Sequence, residues 1–414
     1  MTYEQTMQYL TGLSKFGIVL GLENMRGILD ALGHPEKELK IIHIAGTNGK
    51  GSTGAFIAAG LEAKGFKVGR YVSPTVFCYE ERFQINGEYI SKQELPEIIE
   101  KVKNAAEKAG LTPTVFEAET AAALLYFKKS CCNYVLLEVG MGGRLDATNA
   151  VSETLCSVIT PIALDHTAIL GDTIAKIAFE KAGIIKQNGT VFSAIQSEDA
   201  KTVLKEVSQK QNARLVFCKQ PEIHPDGSFD CGEYKNLKIS LKGSYQYQNA
   251  ALAYEVLKYI INDENAVRNG FLNTRWDGRF QVISGDPEFI FDGAHNPQGA
   301  RALAAGLKDY ENIMFICGIF ADKDYKKMVN ITAPLAKKVI TVTPPSPRGL
   351  DANELKKEFL KYLPDVSAMP LEKAVETAFG YKGGCVAVFG SLSFLGEAIK
   401  TVNDSLLAKK TEEQ

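Results

Sequence analysis

Short apolar runs recur along the chain, and most are followed by a segment whose apolar positions return every three or four residues. "LKIIHIAG", "KVGRYVS", "NYVLLEVG", "TLCSVIT" and "TVFSAI" predict strands. "STGAFIAAGLEAKG" predicts a helix ending at Gly65, and "ETAAALLYFKKS" a second helix. The strand runs are continuously apolar rather than alternating, which marks strands covered on both faces. Strand–helix alternation of that kind builds a parallel sheet between two helical layers. The pattern restarts near Trp276 with "EFIFDGAHN", "NIMFICGIF", "KKVITVTP" and "GCVAVFGS". The intervening "NTRWDGRFQVISGDPE" is turn-rich and reads as irregular, so the boundary is placed inside it. Two α/β domains are expected, residues 1–275 and 276–414, each long enough to bury its own core.

Composition narrows the partners. The 47 basic and 49 acidic side chains leave a net charge of −2. So even a balance supports neither a nucleic-acid footprint nor an anionic-membrane partner, and any phosphate site must be local. None of the eight cysteines forms C-x-x-C, so they read as reduced thiols rather than a metal or disulfide framework. "MTYEQTMQYL" has no basic start and no apolar core, and no run is long enough to span a bilayer. The cytoplasm is the expected compartment.

The first strand runs into "GTNGKGST", Gly46–Thr53. Three readings compete. A phosphate loop would use backbone N–H groups, the positive end of the following helix and the charge of Lys50. The consensus G-x-x-x-x-G-K-[ST] is not met, since Ile44 stands at its first glycine and Gly51 follows the lysine. A dinucleotide fingerprint fits Gly49, Gly51 and Gly54, but the next strand, "VGRYVS", lacks the acid that would hold a ribose. A plain turn does not need four glycines beside a lysine. The phosphate loop accounts for most of these residues.

A triphosphate brings Mg²⁺, which prefers oxygen ligands. Glu138 closes an apolar strand, and Gly140, Gly142 and Gly143 after it would let backbone approach a ligand. His166 follows another strand beside Asp165, and the pair reads as metal ligand and orienting carboxylate. Glu180 and Lys181 lie in a mostly apolar helix, where they are either an ordinary ion pair or a lysine that loses its charge and is modified. "YVSPTVFCYEERFQING", with Phe77, Tyr79 and Glu81-Arg82, reads as a substrate loop rather than core.

"GTNGKGS", "SPTVFCYEERFQING", "FEAET", "LLEVGMGGRLDATN", "ALDHTAILGDTIAKIAFEKAGIIK", "GSYQYQNAALA", "WDGRF" and "FDGAHNP" occur in this order. Together they resemble the folylpolyglutamate synthases, including the bifunctional dihydrofolate synthases, the folate branch of the Mur ligases. The resemblance runs from about Gly21 to Gly396. It implies a large N-terminal P-loop NTPase-like domain with a mostly parallel sheet and a smaller C-terminal Rossmann-like domain that closes over ATP and glutamate. It implies an ATP-dependent ligase that activates a folate carboxylate as an acyl phosphate and joins it to L-glutamate, with dihydropteroate as a further acceptor.

Carried onto this sequence, Thr47, Asn48, Gly49, Lys50, Gly51 and Ser52 would cradle the phosphates. Ser73 and Glu138 would hold one Mg²⁺, and His166 with Glu138 a second. Lys181 matches a lysine that the family carbamylates. Lys50, His166 and Lys181 form the implied catalytic set. Asn249, Arg279, Asp292 and His295 would contact ATP, and Arg82 and Asp146 the acceptor substrate. Two departures stand out. Asp277 replaces a frequent proline, and Thr75 replaces a histidine after the Ser-Pro turn, which touches the folate loop and not the ATP chemistry. A monomer acting on small molecules is expected. Another Mur-type amino-acid ligase and a non-catalytic nucleotide-binding protein are the alternatives, and the joint presence of Lys50, Glu138, His166 and Lys181 speaks against the second.

Overall fold

The computed structural model describes every residue except Ile18, Leu20, Glu413 and Gln414. The chain forms two compact units. One comprises Met1–Pro74, Tyr79–Ser240 and Tyr247–Thr274, and the other Thr75–Cys78, Leu241–Gln246 and Arg275–Gln414. Both are α/β units with mostly parallel sheets.

The first unit is built on eight strands: β1 (Ile41–Ala45), β2 (Val68–Tyr71), β3 (Phe83–Ile85), β4 (Glu88–Tyr89), β5 (Tyr134–Glu138), β6 (Cys156–Ile159), β7 (Thr190–Ser193) and β8 (Arg214–Phe217). Their order is β4-β3-β2-β5-β1-β6-β7-β8. Strands β2, β5, β1, β6, β7 and β8 are parallel, and β3 and β4 form an antiparallel hairpin at one edge. That hairpin corrects the reading of "YVSPTVFCYEERFQING" as loop throughout: its second half pairs with β2 through Tyr71↔Phe83. A three-stranded antiparallel sheet follows, β9 (Glu222–Ile223), β10 (Phe229–Cys231) and β11 (Tyr234–Leu237), whose short strands carry little periodicity of their own.

Register decides which residues meet at the carboxyl edge. Ile44 stands opposite Glu138 on one side and Val158 on the other, and Tyr71 opposite Leu137. The turn after β1, the residue closing β5, the segment after β2 and the segment after β6 therefore leave the sheet at the same level. Ligands of open parallel sheets bind at that edge. Helix Val115–Lys129 covers one face. Thr114 caps it, accepting the Glu117 N–H at 3.2 Å while Glu117 accepts the Thr114 N–H at 2.8 Å. Helix Lys50–Ala63 lies on the opposite face, where the Arg70 guanidinium donates to the Gly51 carbonyl at 3.3 Å.

The second unit has β12 (Gln281–Ile283), β13 (Glu288–Asp292), β14 (Ile313–Cys317), β15 (Ala336–Thr341), β16 (Val366–Ala368) and β17 (Cys385–Phe389), ordered β12-β13-β17-β14-β15-β16. All pairs are parallel except β12·β13. The segment read as irregular thus contains a strand, held by its ladder to β13 and too short to show a period. The eight cysteines are free thiols. Among the described residues no helix is long and apolar enough to cross a membrane.

Candidate active site

The turn after β1 is shaped for close approach. Gly49 sits at φ 87°, the left-handed region, and caps the helix that Lys50 begins. A β-carbon on Gly49 would lie 2.5 Å from the Asn249 side-chain oxygen, so the amide of helix Gln246–Ile260 packs directly on the loop. Asn249 itself is buried. The Thr47 hydroxyl donates to the Ala163 carbonyl at 3.1 Å and accepts the Ala163 N–H at 3.0 Å, and the Thr47 N–H donates to the Pro161 carbonyl at 3.0 Å. The glycine turn is thereby stitched to the segment after β6 that leads to His166. Ser52 is buried in the first turn of the helix.

Two lysines converge on one carbonyl. Lys50 Nζ lies 3.4 Å from the Gly46 oxygen and 3.9 Å from Glu138 Oε1. Lys181, buried near the end of helix Ile174–Ala182, donates from Nζ to the same Gly46 oxygen at 2.8 Å. Burial, with the charge of Lys50 added, pulls the Lys181 ammonium down to about 7, and Asp165 and Asp146 only partly restore it. Adjacent helical residues diverge, and Glu180 turns instead to Arg144, at 2.9 Å from Nη2 and 3.2 Å from Nε. The Glu180–Lys181 ion pair left open by the sequence does not form. The glycines after Glu138 also serve packing. A β-carbon on Gly143 would lie 2.8 Å from the Glu180 carbonyl, and the Arg144 N–H donates to that carbonyl at 2.7 Å. The missing side chain admits the helix that carries Lys181, where the sequence reading had placed a ligand.

The depressed Lys181 ammonium has a consequence for stability. In the unfolded chain it binds its proton up to about 10.5, in the folded chain only to about 7. Its burial therefore costs most below pH 7, and the cost vanishes as pH rises toward 10.5. Lys181→Met, in CO₂-free buffer, should raise the thermal midpoint below pH 7 and lose that advantage by about pH 10.5. A melting series across this range checks the sign.

Glu138 is buried at the end of β5, and Ser73 follows β2 by two residues, before a cis Ser73–Pro74 peptide. His166 has φ 50° and starts the short helix Thr167–Leu170. Its N–H donates to Asp165 Oδ1 at 2.9 Å, while the ring Nε2 stands 4.0 Å from that carboxylate, so Asp165 fixes the backbone of His166 more directly than its ring. Among the described residues no three His, Cys, Asp or Glu side chains gather as a metal set. A hard ion that keeps water and takes phosphate oxygens does not need three, and a carboxylate and a hydroxyl suit it, whereas an imidazole is the softer donor of the set.

On the opposite face, Asp146 is buried. It accepts the Thr148 N–H at 3.0 Å and the Met141 N–H at 2.9 Å, and the Thr148 hydroxyl also donates to it. Thr148 in turn meets the buried His43 Nε2 at 2.9 Å. Arg82 lies 3.3 Å, through Nε, from Glu119, a buried carboxylate the sequence analysis passed over inside "FEAET". Its signal was a second acid one turn into an otherwise apolar helix.

In the second unit Asp292 closes β13 and is buried. It accepts the Tyr245 hydroxyl at 2.8 Å and the N–H groups of Phe280 at 2.9 Å and Ala294 at 2.8 Å. Burial pushes its carboxyl up, against Arg279 and these donors. His295 Nδ1 is 2.8 Å from the Gly293 carbonyl, and Arg279 crowds the same glycine, where a β-carbon would collide with Nη1. Tyr245 was also missed, although "GSYQYQNAALA" contains it.

A nucleotide-loop unit followed by a second Rossmann-like unit is the layout of a Mur-type ligase. The Mur ligase middle domain matches residues 44–257, and the Mur ligase glutamate ligase domain matches residues 278–392. The dihydrofolate synthase/folylpolyglutamate synthase of Bacillus subtilis is 34% identical, over 96% of this chain and 98% of that one. An Escherichia coli structure, FolC in complex with DHPP and ADP, superposes with a TM-score of 0.89 at 30% identity, over 97% of this chain and 98% of that chain. A bifunctional folylpolyglutamate synthase/dihydrofolate synthase with Mn, AMPPNP and L-glutamate bound gives 0.87 at 29%, over 97% and 98%. The chain belongs to the folylpolyglutamate synthase/dihydrofolate synthase family of the Mur ligase superfamily.

Proposed function

We propose that the carboxyl edge of the first sheet transfers the γ-phosphoryl group of ATP to the carboxylate of a folate-class acceptor, and that L-glutamate then displaces phosphate. As in its relatives, the protein is an ATP-dependent ligase that adds glutamate to a folate or to dihydropteroate. The observation that carries the site assignment is the convergence of Lys50 and Lys181 on the Gly46 carbonyl, with Glu138 3.9 Å from Lys50.

A carboxylate does not react with an amine, because its oxygen leaves poorly. Transfer of the γ-phosphoryl group gives an acyl phosphate and ADP. Attack by the glutamate amine expels phosphate and leaves the amide. The protein's task is to position three substrates and stabilise spreading negative charge. Thr47, Asn48, Gly49, Lys50, Gly51 and Ser52 receive the β- and γ-phosphates, with the ammonium of Lys50 on the transferred group. Ser73, Glu138 and His166 would hold divalent ions, which would supply neutralisation of the charge developing on the phosphates. Lys181, held near neutrality, carries an amine able to add CO₂. The carbamate replaces a cation beside the phosphate loop with an anion. Asn249, Arg279, Asp292 and His295 would contact ATP, Asp292 at the ribose, and the loop bearing Arg82, with the Asp146 turn, would take the acceptor.

Phosphate release tests this reading. It should require ATP, a divalent ion, the acceptor and L-glutamate together. ATP binding without acceptor-dependent phosphate release would leave a nucleotide-binding protein with no ligase function.

A further inference from the structure

Helix Val115–Lys129 is apolar along most of its length, and Glu117 is occupied by its cap. Glu119, 2% exposed, has no such local duty. A buried carboxylate is tolerated only when paired and hydrogen-bonded. Its partners come from the two ends of one loop. Tyr71, which ends β2, donates its hydroxyl to Oε2 at 3.4 Å, where the loop begins. Tyr79 donates to Oε1 at 2.8 Å, and Arg82 Nε lies 3.3 Å from the same oxygen, where the loop returns. The Arg82 guanidinium also lies over the Tyr79 ring, 5.4 Å from its centroid. Burial pushes the Glu119 carboxyl up, and Arg82, Tyr79 and Tyr71 pull it back. Arg82 and Tyr79 are the partly exposed members, the Arg82 side chain being 21% exposed against 2% for Glu119.

We propose that Glu119 is a positioning residue for the acceptor substrate: it clamps Tyr79 and Arg82 at the return leg of the loop and so aims the Arg82 guanidinium. This rests on the reading that the loop between β2 and β3 faces the acceptor. The Arg82–Glu119 contact is an ion pair without a hydrogen bond at Nε, so the carboxylate holds the planar guanidinium by charge, over the Tyr79 ring that it also anchors, and its loss costs orientation.

The test measures KM for acceptor and for ATP in Glu119→Gln, Arg82→Ala and the double variant. Arg82→Ala should raise the acceptor KM about tenfold, the effect of losing one modest contact of about 1.4 kcal/mol, and leave the ATP KM unchanged. Glu119→Gln should raise the acceptor KM several-fold, again without changing the ATP KM. The double variant should be no worse than Arg82→Ala, because both act through one group. Glu119→Asp keeps the charge one methylene short and should also raise the acceptor KM. It decides the matter if the glutamine variant does not fold. An unchanged acceptor KM in the folded Glu119 variants, with Arg82→Ala impaired, overturns the proposal. An unimpaired Arg82→Ala overturns the reading of the loop instead.

Discussion

Lys50→Ala should lower kcat by at least about 10²–10³-fold, the usual loss when a preorganised charge-stabilising donor is removed from a reacting centre, while the fold survives. The lysine opens a helix rather than filling a core, and the Gly46 carbonyl that it faces keeps its 2.8 Å hydrogen bond from Lys181. Its loss acts twice. On the proposed reading, it removes the ammonium from the transferred phosphoryl group. It also removes one of the two influences that depress Lys181, which then holds its proton to higher pH. Turnover near the parent level with an ordinary ATP KM would remove Lys50 from the phosphate site. Circular dichroism and a melting curve separate this from unfolding.

Lys181→Ala should cost turnover on the same scale, about 10²–10³-fold, with part of it restored by acetate or formate. A small carboxylate can enter the space left by the side chain and return the negative charge that a carbamate would supply. The depressed Lys181, at about 7, makes the carbamate reachable. Near neutral pH about half of such amines are unprotonated, and only that form attacks CO₂. The amine nitrogen bonds to the CO₂ carbon and releases one proton. Parent protein kept free of CO₂ should lose activity and regain it with bicarbonate. Unchanged activity in Lys181→Ala would take the residue out of the mechanism. Loss without rescue, together with indifference to bicarbonate, would mean that the neutral amine or its hydrogen bond to Gly46 matters rather than a carbamate.

Much of the first sheet was legible because buried parallel strands are written as unbroken apolar runs. Strands β1, β2, β5, β6 and β7 lie inside the runs quoted from the sequence, and β13, β14 and β17 do so in the second unit, with β15 beginning one residue before its run. The strands that were missed are two to four residues long, and β3, β12 and β16 owe their conformation to the neighbouring ladder. The site was legible unevenly. A glycine loop with one lysine announces itself because few other structures need it. The convergence of Lys50 and Lys181 on one carbonyl could not be read, since 130 intervening residues separate the two and only the sheet order joins them. Glu180 shows the opposite failure. Its neighbour in sequence looked like its partner, but helical geometry sends it to Arg144. Gly143 drew notice as room for a ligand, and its missing side chain also admits the helix that carries Lys181.

Glutamate ligation to a folate-class acceptor is read most directly from product mass. The protein is incubated with ATP, Mg²⁺ and L-glutamate, with tetrahydrofolate in one reaction and dihydropteroate in another. A gain of one glutamyl residue is expected on at least one acceptor, with one ADP formed for each. A gain on both marks a bifunctional synthase, and a gain on tetrahydrofolate alone marks a dedicated polyglutamylating enzyme. No gain on either, in protein that still binds ATP, would contradict the account.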